Sequence, residues 1–322
     1  MEKIKNISIT NFKSIKHLEI NDCNKINVFI GMPNAGKSNI LEALGLFGYF
    51  NNHGILKDYV RYEFDYELFF KGITVDPISI NLDKKIELNI VDKNRNNSSE
   101  FGIIEGTNLK YKEDFFTDDF FYHDIKKYIF DNKRIQNRGN SVLEFPFGEN
   151  IGQIISMNTM LRETVSKYLN SNGLKIVIKS GTYDLVLQKE LEDGTVFELP
   201  YSMIADTLQR LIFYKAAIMS NKNAVLLFEE PEAHCFEPYI LEFTNSVKYD
   251  ENDNQFFIVT HSDFIIQEFL RDEESNKNTN IYLVNNVDGE TKVKLLDKEK
   301  NDDVYEFGMN AFFNFESLWE SN

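Results

Sequence analysis

Four groups of residues in this sequence have the types and spacing that phosphate chemistry needs. The first is Gly31-Met32-Pro33-Asn34-Ala35-Gly36-Lys37-Ser38, a G-x-x-x-x-G-K-S run. Its glycines let backbone N–H groups turn inward around a β-phosphate, and a helix opening at the run adds a favourable dipole. Lys37 is then placed to reach β- and γ-phosphates, and the Ser38 hydroxyl to ligate Mg²⁺. Gly31, Asn34, Ala35, Gly36 and Asn39 are expected to line the same nucleotide. A glycine turn that merely contains Lys-Ser is the bland alternative, and the match over the whole run argues against it.

The second group closes Val225-Leu226-Leu227-Phe228-Glu229-Glu230-Pro231-Glu232. An apolar strand delivers two consecutive carboxylates to its C-terminal edge, where open parallel sheets bind ligands. Adjacent strand residues point to opposite faces, so the two acids take different roles. Glu229 is expected in the Mg²⁺ shell and Glu230 as the general base that activates water. The third group, Phe256-Phe257-Ile258-Val259-Thr260-His261-Ser262, is a second buried strand that ends on a histidine suited to a γ-phosphate contact. The fourth, Leu199–Arg210, opens a helix for which Asp206 or Thr207 is a reasonable N-cap. A helix N-terminus bearing hydroxyls is an anion site, although an ordinary capped helix is the better explanation for this segment standing alone.

These groups need strands and helices to hold them. Alternation predicts strands at 4–9, near 17–20 and at 26–30, the last running straight into the glycine run. Helical apolar spacing begins at Ser38. A strand is expected at 86–91, an exposed turn at 94–99, and helical character at 115–131. An amphipathic helix is expected from Ile154 to Leu169, then a hairpin of strands 174–179 and 183–188. A helix over 206–219, strands at 224–228 and 256–260, and a strand pair at 281–285 and 291–296 complete the pattern. Apolar strands alternating with helices indicate a mainly parallel sheet covered on both faces. No repeat, heptad run or low-complexity tract is visible.

At 322 residues the chain is long enough for one large domain with an insertion, or two lobes. The formal charge of −16 argues against a surface basic all over, so nucleic-acid contact would need a local stripe such as Lys126, Lys127, Lys133, Arg134 and Arg138. Two distant cysteines, Cys23 and Cys235, no apolar leader and no membrane-length apolar run give the expectation of a reduced, cytoplasmic chain with no membrane partner.

Together these elements resemble the ABC-type ATPase heads of the RecF, SMC and OLD group. The resemblance begins at Ile9-Thr10-Asn11-Phe12-Lys13-Ser14-Ile15 and continues through Gly36-Lys37-Ser38-Asn39-Ile40-Leu41-Glu42-Ala43-Leu44. It resumes at Leu199–Arg210, Glu229–His234 and Thr260-His261-Ser262, with Gly308–Phe312 as the usual closing segment. It implies an α/β P-loop NTPase of ABC/SMC-head type, with a mixed sheet, flanking helices and an inserted lid or lobe. The expected division is 1–57 for the N-terminal part of the head, 58–190 for a variable lobe and 191–322 for the C-terminal part. It also implies ATP and Mg²⁺ as cofactors and a head-to-tail dimer. In such a dimer the Lys37 loop of one copy and residues 205–209 of the other, with Asp206, Thr207 and Gln209 as contacts, sandwich ATP. Arg61 resembles the arginine that some SMC-like heads place near the nucleotide, although an exposed strand arginine fits equally.

Two departures bear on activity. Ala205 and Thr207 stand where the family usually has Ser and Gly, and Glu229 stands where it commonly has Asp. No coiled-coil arm is visible, and only 61 residues follow His261, too few for the nuclease domain of OLD proteins. The resemblance therefore implies a stand-alone switch ATPase that controls a separate effector, a nuclease or toxin, in bacterial antiphage defence. The alternatives are a RecF-like DNA-binding repair ATPase and a nucleotide-binding scaffold with little turnover.

Overall fold

The computed structural model describes residues 3–52, 55–92, 99–105, 108–112, 124–131, 141–171 and 173–321. The chain divides into two compact units, Met1–Lys127 with Asn223–Glu230 and Gln255–Asn322, and Tyr128–Lys222 with Pro231–Asn254. In chain order the elements are β1 Ile7–Phe12, β2 Ile15–Ile20, β3 Ile26–Ile30, α1 Lys37–Asn52, β4 Ile78–Leu82, β5 Ile86–Asp92, β6 Ser99–Glu105, β7 Asn108–Lys112 and β8 Ile125–Tyr128. Then follow α2 Ile151–Met157, α3 Thr159–Asn170, β9 Lys175–Ile178, β10 Leu185–Glu190, β11 Val196–Pro200 and α4 Asp206–Ser220. The remainder is β12 Val225–Glu229, α5 Glu237–Lys248, β13 Gln255–Val259, α6 Asp263–Leu270, α7 Glu273–Asn278, β14 Thr279–Val287, β15 Glu290–Leu295, α8 Lys298–Glu306 and α9 Phe315–Ser321.

In the first unit the glycine run hangs from a sheet of order β15-β14-β3-β13-β12-β8. β14, β3, β13 and β12 pair in parallel, and β15 returns antiparallel to β14. Every residue of β3 and β13 is buried, which explains their near-continuous apolar sequences: a parallel strand covered on both faces has no wet side to alternate toward. Phe29 stacks between Phe257 and Tyr282, at ring-centroid distances of 6.4 and 5.1 Å. Emptying that position in a Phe29→Ala variant would cost about 3–5 kcal/mol. The register pairs Glu229 with Val259 and Val259 with Phe29. The acidic end of β12, the histidine end of β13 and the glycine end of β3 therefore meet at one edge of the sheet.

A second sheet, β2-β1-β4-β5-β6-β7, is antiparallel throughout. The mainly parallel pattern of the apolar strands describes the first sheet, and the mixed character of the fold comes from β15 and from this second sheet. The strands expected at 4–9, 17–20 and 86–91 appear here as β1, β2 and β5, whereas β4, β6 and β7 were not expected. Helix α1 is apolar on nearly all sides, with Ile40, Leu41, Ala43, Leu44 and Leu46 buried, and it contacts β1, β12 and β13.

The second unit carries the antiparallel sheet β11-β10-β9 and helices α2–α5. The helix expected from Ile154 to Leu169 is two helices. Asn158 interrupts it because its side chain caps α3, accepting from the Leu161 N–H at 2.9 Å. Within the span expected to be helical at 115–131, residues 125–128 form β8, and 115–123 lie outside the described residues, as do most of 94–99. The division also differs from the expected boundaries at 57/58 and 190/191. Residues 58–127 belong to the first unit, because β4 pairs with β1 and β8 joins the sheet beside β12.

Candidate functional site

The glycine loop is shaped by what crowds it. A Cβ on Gly31 would stand 2.0 Å from the Val284 carbonyl oxygen. Gly36 has φ +95°, and a Cβ there would meet Thr291 Oγ1 at 2.0 Å and Ser14 Oγ at 2.7 Å. Those two hydroxyls clamp the loop from outside. Thr291 donates to the Ala35 carbonyl at 3.0 Å, and its Oγ1 lies 2.6 Å from Ser14 Oγ, which accepts from Asn39 Nδ2 at 2.6 Å. Thr291 N–H also donates to the Ser14 carbonyl at 2.8 Å, tying β15 to the β1–β2 turn. Asn34 takes a left-handed backbone, φ 61°, at the crest of the loop. Lys37, the first residue of α1, folds back and donates to the carbonyls of Gly31 (2.8 Å) and Met32 (2.9 Å). Burial brings its pKa down to about 8, against the upward pull of Glu230.

Glu229 and Glu230 face different partners, as their strand positions require. The Glu229 carboxylate lies 3.1 Å from Arg61 Nη2 on one oxygen and 3.1 Å from Lys127 Nζ on the other, and it accepts from the Ser38 hydroxyl. Burial alone would raise its pKa; Lys127, the Ser38 hydrogen bond and Arg61 outweigh this and hold it below the usual carboxylate value. Arg61 also pairs through Nε with Glu42 at 2.7 Å, and the fully buried Glu42 takes Lys13 Nζ at 2.5 Å. Burial, with Arg61 and Lys127 nearby, lowers the pKa of Lys13 despite Glu42. The result is a chain of alternating charge, Lys13–Glu42–Arg61–Glu229–Lys127. Arg61 belongs to irregular backbone rather than a strand.

Glu230 leaves the strand with φ 46° while its N–H still donates to the Val259 carbonyl at 2.8 Å. A non-glycine residue held in this left-handed region costs about 1–2 kcal/mol. Its Oε1 is 3.6 Å from His261 Nε2. The His261 ring stacks on Phe312 at 6.2 Å. Burial and the Lys37 charge lower the His261 pKa, with Glu230 opposing, which favours the neutral ring. Ser262 caps α6, and Asp263 at its start accepts from the Ala311 N–H at 2.9 Å, which docks the 308–312 segment beside His261.

The first unit thus brings together Gly31, Asn34, Ala35, Gly36, Lys37, Ser38, Asn39, Arg61, Glu229, Glu230 and His261. Asp206, Thr207 and Gln209 belong to the second unit. There Ala205, not Asp206 or Thr207, occupies the N-cap of α4 and makes no side-chain cap, while Asp206 pairs with Arg210 at 2.7 Å. Gln209 is buried and turns inward, donating to the carbonyls of Ile204 (2.9 Å) and Ser202 (3.3 Å). Its amide ties down the turn before α4. Sequence reasoning assigned no place in the nucleotide site to Ser14, Glu42, Lys127 or Thr291. Ser14 and Glu42 lay inside motifs already noted, Lys127 stood only in a basic stretch, and Thr291 gave no signal.

Among the described residues no group of three His, Cys, Asp or Glu side chains could hold a metal by itself. One hydroxyl and one carboxylate already in contact, Ser38 and Glu229, do fit the protein's share of a Mg²⁺ shell that phosphate oxygens complete. No described helix is long and apolar enough to cross a membrane.

The model of the family described as AAA ATPase domain matches residues 2–178. The DNA replication and repair protein RecF of Clostridium perfringens is 33% identical over 88 residues, covering 27% of this chain and 24% of RecF. An uncharacterised protein of Methanocaldococcus jannaschii is 32% identical over 106 residues, covering 30% of this chain and 48% of that protein. The chain therefore spans only about a quarter of the RecF length it matches. Among solved structures, an Smc head bound to the C-terminal winged-helix domain of ScpA superposes with TM-score 0.58 at 15% identity, covering 93% of this chain and 99% of that one. An Smc head with an extended coiled coil, bound to the C-terminal domain of ScpA derived from Pyrococcus furiosus, gives TM-score 0.56 at 14% identity, covering 95% and 99%. These likenesses show the fold.

Proposed function

The chain belongs to the AAA ATPase domain family and folds as an SMC-type head, and from its site we propose a Mg²⁺-dependent ATP hydrolase that works as a switch. The observation that carries this reading is the junction of three strand ends, which sets Lys37, Glu229, Glu230 and His261 at one sheet edge. On ATP binding Lys37 exchanges the Gly31 and Met32 carbonyls for β- and γ-phosphate oxygens. Ser38 and Glu229 would hold Mg²⁺, which neutralises charge on those oxygens. Glu230 takes a proton from the attacking water, and neutral His261 steadies the γ-phosphate. A Glu230→Gln variant is expected to lose about 10²–10⁴-fold in turnover while still binding ATP. Hydrolysis at the parental rate in that variant would refute the assignment.

The same reading extends to a head-to-tail pair of copies, ATP being closed by the Ala205–Gln209 segment of the other copy. It further includes a separate effector, a nuclease or toxin of an antiphage system, whose co-purification with the tagged chain is the test. RecF similarity favours a second reading, DNA binding with slow hydrolysis. Against it, Lys126 and Lys127 are buried and so do not present the expected basic stripe, while Lys133, Arg134 and Arg138 lie outside the described residues. Salt-sensitive duplex binding with DNA-stimulated hydrolysis would favour the RecF-like reading over the effector switch.

A further inference from the structure

We propose that Lys127 is a built-in counter-cation that keeps Glu229 closed to Mg²⁺ until nucleotide arrives, so that metal enters only together with ATP. This rests on the ATP-binding reading above. Lys127 is almost completely buried, and its ammonium lies 3.1 Å from Glu229 Oε2 and 3.4 Å from the Tyr59 carbonyl. Its stem runs beside Gly45 in α1, where a Cβ would press on Lys127 Cδ at 3.3 Å and Cβ at 3.6 Å. A glycine inside a helix is unfavourable relative to alanine, yet here it leaves the passage that the lysine uses.

Arg61 holds the other Glu229 oxygen from a side chain that is 68% exposed and is shared with Glu42. Lys127 is enclosed between β12 and α1 and faces Glu229 alone among the described carboxylates. A metal ion without nucleotide would have to enter a half-buried carboxylate already matched by two cations, and repulsion between like charges is strengthened where water is partly excluded. A polyphosphate laid along Gly31–Ser38 brings the negative charge that reverses this balance. Lys127 is thus a positioning residue that sets the order of loading.

Mn²⁺ alone, titrated by electron paramagnetic resonance into the nucleotide-free chain, tests this. The parent is expected to show no Mn²⁺ that depends on Glu229, whereas Lys127→Met binds Mn²⁺ without nucleotide at least tenfold more tightly. Lys127→Arg, which retains the charge, restores the exclusion. Equal Mn²⁺ affinity in parent and Lys127→Met would overturn the proposal. Should Lys127→Met not fold, the parent alone decides: Mn²⁺ bound without nucleotide and lost in Glu229→Ala refutes it, and its absence supports it. A parent unable to bind ATP would instead refute the functional reading.

Discussion

Burial sets the working range of Lys37. With its pKa brought to about 8, the ammonium is fully charged below that value and loses its proton as pH rises through it. Phosphate binding needs the charged form, so above pH 8 ATP binding must also take up a proton. ATP affinity is therefore expected to be level near neutrality and to fall by up to about tenfold per pH unit above 8. Equilibrium titration with a fluorescent ATP analogue between about pH 7 and pH 10 checks this, and a level profile to the top of that range would contradict it. At this scale the sequence was a good guide to residue type and a poor guide to partners. That Lys37, Ser38, Glu229, Glu230 and His261 lie at one sheet edge was legible because each ends or begins an element with a strong local pattern. The Arg61–Glu42 pair and the Lys127–Glu229 pair were not, since the residues, 19 and 102 positions apart, lie on different segments and their charges give no local period.

The loop between β3 and α1 is held by an element that follows it at the far end of the unit. Thr291 on β15 reaches the Ala35 carbonyl across 256 positions of sequence. Thr291→Val keeps the shape and removes the hydroxyl, leaving Ala35 O without that donor and Ser14 without one neighbour. The expected cost is about 1–3 kcal/mol of stability, together with weaker ATP binding. Denaturant unfolding and ATP titration of the variant check both, and unchanged values in each would show the clamp to be idle. β3, β12 and β13 were readable because a strand buried on both faces must be apolar throughout. β11 went unread, being mostly exposed and short, and the break at Asn158 went unread because the apolar period continues across it. The start of α4 was misread for a related reason. Asp206 looks like a cap in one dimension, but it is already inside the helix and bonded to Arg210.

On the scale of the molecule, the formal charge of −16 makes any association of two copies an approach of like charges. ATP-dependent pairing of the Glu230→Gln variant is therefore expected to strengthen, not weaken, as ionic strength is raised from about 0.05 to 0.2 M. Light scattering on a sizing column, with and without ATP, reads the mass directly. Pairing that dissolves with added salt would point to an interface built on opposite charges instead. The fold class was legible from the order of motifs, but the assignment of 58–127 to the first unit was not. It depends on β1 pairing with β4 and on β8 joining β12, both of them long-range choices.

The chain passes between the two units at Lys127–Tyr128, Lys222–Asn223, Glu230–Pro231 and Asn254–Gln255. Two of these four peptide bonds adjoin the carboxylate cluster: one follows the lysine that grips Glu229, the other follows the proposed base. The covalent tether between the units is thus anchored at two residues of the candidate site, so an insertion or a cut at either junction would act on that cluster directly.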